Sequence, residues 1–202
     1  MSRLQLLIIN GAFLTVCAVF IHSSRELVLT GLLLFLPFLD RHHWKHSKLI
    51  SSESSGAQDG KNNNSEKYFL KLLPHTILLI ISVIIISLNT AYISIALSSL
   101  LLTALPEEWF FRAYFMKQLE IIIHLNKTRI KRIGPELAAN IATSIFFALL
   151  HTITQGWFGL SVFIPSLIFG WVYQKNQDLL LVTLLHTLSN IVFYIYLSNL
   201  VN

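Results

Sequence analysis

Charge is scarce in this chain. Asp, Glu, Lys and Arg together make up 12% of its 202 residues, against roughly 25% in a soluble domain. The 54% of hydrophobic residues is too large a share for one globular core and points to a polytopic membrane protein. Cysteine is nearly missing too. Cys17 stands alone, which excludes an intrachain disulfide and a thiolate metal site. Leu14-Thr15-Val16-Cys17 faintly resembles a lipoprotein processing site, but Val16 is too bulky for that role, and Cys17 reads as a small buried hydrophobe. No alternating pattern of barrel type occurs, so strands are excluded as the spanning element. There is no His-Glu-x-x-His and no Gly-x-Ser-Gly. The three aspartates, Asp40, Asp59 and Asp178, fall in loops or at span ends, so an intramembrane aspartyl pair is excluded. The net charge of +5 comes without a basic, aromatic-interleaved stripe, and nucleic acid is not an expected partner.

What is present is a series of apolar segments: Leu4–Ile21, Leu27–Leu39, Tyr68–Leu88, Thr90–Met116, Leu137–Thr154, Trp157–Tyr173 and Leu179–Leu197. A spanning helix needs about 20 residues. The expected fold is therefore all-α, a polytopic transmembrane helix bundle of about seven spans. The second segment is short, and so re-entrant or tilted; the fourth is long. The first has only Arg3 before it and no clean small-x-small cleavage site after it, so it reads as a retained span rather than a signal peptide. Ser51–Lys67, SSESSGAQDGKNNNSEK, is too polar to bury a core and reads as a disordered loop. It divides the chain into two N-terminal helices (1–39), a polar loop (40–67) and a five-helix core (68–202).

The basic residues set an expected orientation. Arg41, Lys45, Lys48, Lys61, Lys67 and Lys71 lie in one loop; Lys117, Lys127, Arg129, Lys131 and Arg132 lie in another, and Lys175 in a third. All fall on one side if the N-terminus is cytoplasmic, in the plasma (inner) membrane. The sequons at Asn63 and Asn126 would then be cytoplasmic and unglycosylated, with His124–Arg132 resting on anionic headgroups.

Against this apolar background the polar exceptions carry the information. Glu107, Glu108 and Arg112 lie within LLTALPEEWFFRAYF, and a charge at membrane depth costs roughly 2.5–3.5 kcal/mol on insertion scales. Glu108 and Arg112 are i and i+4 and can pair, whereas Glu107 points about 100° away. Pro106 removes a backbone hydrogen bond and favours a kink. A structural ion pair accounts for Glu108 and Arg112 but leaves Glu107 unexplained. Phe147 and His151 form a second i, i+4 pair, and His186 with Asn190 a third. Each pair has a plain reading: a satisfied polar residue near a helix end, or polar glue between helices. Together they supply an acid, two imidazoles, an amide and an ion pair, a set able to polarise a carbonyl and activate water. Counted from the inner span ends, Glu107, His186 and His151 lie at heights differing by up to roughly 10 Å, a gap that kinks and tilts would have to close.

Glu-Glu-x-x-x-Arg (Glu107, Glu108, Arg112), Phe-x-x-x-His (Phe147, His151) and His-x-x-x-Asn (His186, Asn190), in this order on successive apolar helices over Leu97–Leu197, resemble the CAAX protease and bacteriocin-processing family. This family, also called Abi, includes the type II CAAX prenyl endopeptidases and consists of glutamate-dependent intramembrane proteases. The resemblance implies that Glu107 is the general base for the attacking water and that His151 helps to hold that water. It implies that His186 and Asn190 form the oxyanion site, and that Glu108, Arg112 and Phe147 are supporting residues. No cofactor and no metal is implied. The implied substrate is a membrane-anchored or hydrophobic peptide or protein, cut within the bilayer. The chemistry agrees, because a desolvated carboxylate is a stronger base than one in water. Two rival readings stay open: Glu107, His151 and His186 as a His₂Glu zinc set, and a non-catalytic membrane immunity or partner-binding protein.

Overall fold

The computed structural model describes residues 2–20, 25–40, 64–88, 90–125 and 134–197, and every element among them is helical. In chain order these are α1 (Arg3–Phe20), α2 (Arg25–Leu39), α3 (Asn64–Leu88), α4 (Thr90–Leu125), α5 (Pro135–Gln155), α6 (Phe163–Asn176) and α7 (Leu179–Val192). A 3-10 turn, Gly156–Val162, joins α5 to α6, and a π segment, Phe193–Leu197, continues α7. The helical runs Arg3–Phe20, Thr90–Leu125, Pro135–Asn176 and Leu179–Tyr196 are long and apolar enough to cross a membrane; Leu27–Leu39 and Leu72–Leu88 are shorter apolar helices.

The helix ends follow local chemistry. Gly134 precedes Pro135, whose missing N–H costs nothing at a first helical position. Glu136 lies in that first turn, where the helix dipole favours an acid. The run Pro135–Asn176 reverses at Gly156, whose φ of +61° suits a residue without a side chain. Its two arms lie antiparallel: Gln174 Nε2 donates to the Glu136 carbonyl at 2.7 Å, and Asn140 Nδ2 to the Leu167 carbonyl at 3.0 Å. The segments read as Leu137–Thr154 and Trp157–Tyr173 are these two arms. At Gly170 any β-carbon would overlap the Asn140 side chain. With Ser166 four residues earlier, it gives α6 a small-x-x-x-small face that admits α5 closely.

Polarity is inverted relative to a soluble protein. Ile8, Phe13, Phe35, Leu79 and Ile164 are exposed, while Asn10, Glu108, Arg112, Asn140, Thr143, Ser166 and His186 are buried. Large exposed aliphatic surfaces are costly in water and natural against lipid tails. The protein is an all-α, polytopic integral membrane protein.

The chain clusters into two compact units. One comprises Met1–His43 and Pro106–Leu179, the other Trp44–Leu105 and Leu180–Asn202. The first has an aromatic core: Phe110, Phe111, Tyr114 and Phe147 pack with Leu7 and Leu14 of α1 and Leu33 and Leu36 of α2. Edge-on and tilted ring pairs run through it, Phe111–Phe147 at 4.9 Å and Phe115–Phe146 at 5.1 Å between centroids, each worth roughly 0.5–1.5 kcal/mol beyond area burial. The second unit holds α3, the start of α4, and α7.

Two boundaries differ from the sequence reading. Lys117 was expected to open a loop, yet α4 continues to Leu125, with Gln118 and Ile122 buried. A long basic side chain can lie along a helix with its charge displaced toward water, so Lys117 marks no end. Helix α3 begins at Asn64, inside the stretch read as a polar loop. The rest of that loop, both sequon asparagines Asn63 and Asn126, and most of His124–Arg132 lie outside the described residues.

Candidate active site

Helix α4 is not uniformly α. Two π segments, Ser99–Ala104 and Trp109–Met116, flank the short α stretch Leu105–Glu108 that carries both acids. In the first, the Leu105 N–H donates to the Leu100 carbonyl, five residues back. A proline ring crowds the preceding turn of an α-helix, and a wider π turn just before Pro106 relieves that crowding. π segments are rare and concentrate at functional sites.

Glu108 and Arg112 are fully buried and paired, Arg112 Nε donating to Glu108 Oε2 at 2.9 Å. The guanidinium also donates from Nη2 to Ser166 Oγ on α6 at 2.8 Å, and its carbon lies 5.8 Å from the Phe147 ring centroid, within cation–π range. One charged pair thus ties α4 to α6 and rests on an α5 aromatic. Glu107, one residue earlier, is only partly buried, although its Oε2 is screened from solvent.

On α5 the Phe147 and His151 rings stack at 4.3 Å between centroids. His151 Nδ1 lies 2.9 Å from the Phe147 carbonyl. A carbonyl only accepts, so Nδ1 carries the hydrogen, and in the neutral ring Nε2 is an acceptor. The connecting turn packs against the backbone that carries this imidazole. Gly159 is buried against the His151 backbone, and a β-carbon there would lie 2.6 Å from the His151 carbonyl oxygen. Phe115 and Phe111 of α4, one turn apart, both pack on the adjacent pair Phe146 and Phe147 of α5.

In the other unit, His186 is buried on α7 and Asn190 is partly buried. Asn190 Nδ2 donates to Ser99 Oγ at 3.0 Å, a bond that uses one of its two amide hydrogens. Among the described residues no group of three His, Cys, Asp or Glu side chains is placed to hold a metal ion.

The structure therefore brings together Glu108, Arg112 and Phe147 in one network, and Phe147 with His151 in a ring stack. Sequence reasoning missed the supports: Ser166, Ser99 and Gly159. Ser166 was visible as a hydroxyl inside the apolar run FIPSLIFG, but nothing in its spacing named Arg112 as its partner.

Residues 89–192, about half of the chain, match the family model Rce1-like, described as type II CAAX prenyl endopeptidase Rce1-like. No match was found among curated proteins or solved structures. The matched stretch contains every residue singled out above from α4, α5, α6 and α7. The chain belongs to this family of membrane proteases.

Proposed function

We propose that this protein is a glutamate-type intramembrane endopeptidase that hydrolyses a peptide bond in a membrane-anchored or hydrophobic substrate. The observation that carries the reading is the His151 ring. Its Nδ1–H is committed to the Phe147 carbonyl, so Nε2 of the neutral ring is an acceptor, and the ring stacks on Phe147, which itself lies beside the Arg112 guanidinium. A water donating one hydrogen to the Glu107 carboxylate and the other to His151 Nε2 keeps a lone pair for attack. As its oxygen bonds to the scissile carbonyl carbon, Glu107 takes the proton and the carbonyl π pair moves onto oxygen. His186 and the second amide hydrogen of Asn190 donate to that oxyanion. When the tetrahedral intermediate collapses, the C–N bond breaks, and Glu107 returns its proton to the departing amine. Preorganised donors of this kind are worth roughly 2.7–4 kcal/mol each. Glu108, Arg112, Ser166 and Phe147 hold the scaffold and exchange no protons. The N-terminus is cytoplasmic in this reading.

The test is cleavage in membranes of a prenylated CAAX peptide and of a hydrophobic leader peptide, with and without chelator. Glu107→Gln, His151→Ala and His186→Ala should each lower kcat by about 10²–10⁴-fold at wild-type expression, with chelator leaving the wild type unaffected. Full activity in Glu107→Gln rejects the glutamate mechanism. Loss of wild-type cleavage on chelation, restored by zinc, replaces it with metal-assisted hydrolysis.

A further inference from the structure

Helices α1 and α2 lie outside the matched stretch, yet they cluster with residues 106–179 as one compact unit. Among the described residues, hydrogen bonds join them to one short piece of α4. Asn10 of α1 donates from Nδ2 to the Tyr114 hydroxyl at 2.7 Å, and that hydroxyl donates to Asp40 Oδ2, just past the end of α2, at 3.1 Å. All three side chains are buried, with relative exposures of 6%, 0% and 1%. Five residues before Tyr114, Trp109 donates from Nε1 to the Leu34 carbonyl of α2 at 3.3 Å and packs on Phe38 at 6.0 Å between centroids. Leu34 lies within one turn of Pro37, where the proline loosens the helical ladder.

These bonds have no local reason. An acid at a helix C-terminus opposes the dipole, so Asp40 is misplaced as a cap and placed for Tyr114. A buried Asn is costly in hydrocarbon unless bonded, and Asn10 is bonded to Tyr114. The two anchor points, Trp109 and Tyr114, bracket Arg112, and Trp109 directly follows the acids. They also lie within the π segment Trp109–Met116, Trp109 at its first position and Tyr114 two residues before its last, a backbone form that persists only where its surroundings hold it.

We infer that the α1–α2 pair is a clamp that fixes the position of the acid-bearing segment of α4, and that Tyr114 is a positioning residue acting through it. The inference rests on the proposed function for its effect on turnover, not for the clamp itself. The Tyr114 hydroxyl uses its acceptor on α1 and its donor on α2, so one oxygen joins three helices. Removing it lets the π segment relax toward α-helical register, which rotates residues N-terminal to it, including Glu107.

The experiment labels the four tryptophans with 5-fluorotryptophan, assigns the Trp109 resonance by Trp109→Phe, and follows it by 19F NMR alongside peptide cleavage. Tyr114→Phe should shift or split the Trp109 line and lower kcat about 10–100-fold, with KM changed less than about twofold. Asp40→Asn keeps an acceptor for the hydroxyl and should leave both near wild type, whereas Asp40→Leu should reproduce the Tyr114→Phe behaviour. An unmoved Trp109 line in Tyr114→Phe, or an unchanged kcat in an active enzyme, overturns the inference. If the wild type cleaves neither peptide, the endopeptidase reading fails, and the Trp109 line still decides the clamp.

Discussion

Glu108 is wholly buried with Arg112 Nε at 2.9 Å, whereas Glu107, its neighbour in the chain, is only partly buried. Two acids of the same chemistry, one residue apart, thus occupy opposite environments. A helix turns about 100° per residue, so adjacency in sequence guarantees separation in space. The sealed acid neutralises a buried guanidinium and takes part in a network that reaches α6; its carboxylate is spent on structure. The other acid is only partly buried, with its Oε2 screened from solvent, and partial desolvation strengthens a carboxylate as a base. The same division is seen in the α5 motif. Phe147 is sealed and His151 partly open, with the Phe147 carbonyl holding the His151 ring.

The sharpest way to break this division is to measure stability and turnover on both acids. Arg112→Met leaves Glu108 as an uncompensated buried charge, and loss of one partner of a buried pair costs roughly 3–5 kcal/mol. Glu107→Gln should change folding stability by no more than about 0.5 kcal/mol while lowering kcat by about 10²–10⁴-fold. Thermal unfolding in detergent checks both. If Glu107→Gln melts the protein as Arg112→Met does, Glu107 is a second structural acid, and the catalytic assignment loses its base.

How much of this was legible beforehand follows from range. The pairs Glu108–Arg112 and Phe147–His151 are four residues apart, and helical periodicity alone predicts their contact; both contacts are present. The all-α polytopic class followed from apolar runs of spanning length. Ser166 meets Arg112 across 54 residues, Ser99 meets Asn190 across 91, and Asn10 meets Tyr114 across 104. No spacing rule reaches that far, and a lone Ser or Asn in an apolar helix names no partner. The π segments were equally hidden, because they answer to Pro106 and to neighbouring helices rather than to propensity. Lys117 misled the reading because a basic residue signals a loop only when its side chain has no route to water along the helix.

A smaller effect should come from the seat of the open imidazole. Gly159→Ala places a methyl group where the His151 carbonyl carbon and the Thr152 nitrogen already lie. Those are backbone atoms and cannot rotate aside, so the end of α5 must move. Misplacement by a fraction of an ångström to one ångström costs up to about 10²-fold in rate. We expect kcat to fall about 10–100-fold, with little change in thermal stability, because the hydrogen bonds joining Glu108, Arg112 and Ser166 involve no residue of the connecting turn. A variant that loses stability and activity in proportion would show the turn to be scaffold rather than a seat for His151.

The smallest effect should appear where support is a single neutral hydrogen bond. Ser99→Ala removes the acceptor of Asn190 Nδ2. A neutral hydrogen bond contributes about 0.5–1.5 kcal/mol net, equivalent to roughly 2–10-fold in rate. The loss should fall on kcat, since in the proposed mechanism Asn190 serves the oxyanion and not the ground state. Ser99→Thr keeps the hydroxyl and should restore most of the rate. Asn190→Ala should cost about 10²–10³-fold, and adding Ser99→Ala to it should cost almost nothing more, because a brace has no function once the braced amide is gone. Additive losses in that double variant would mean that Ser99 contributes by another route, and that α7 carries its amide for packing rather than for the oxyanion.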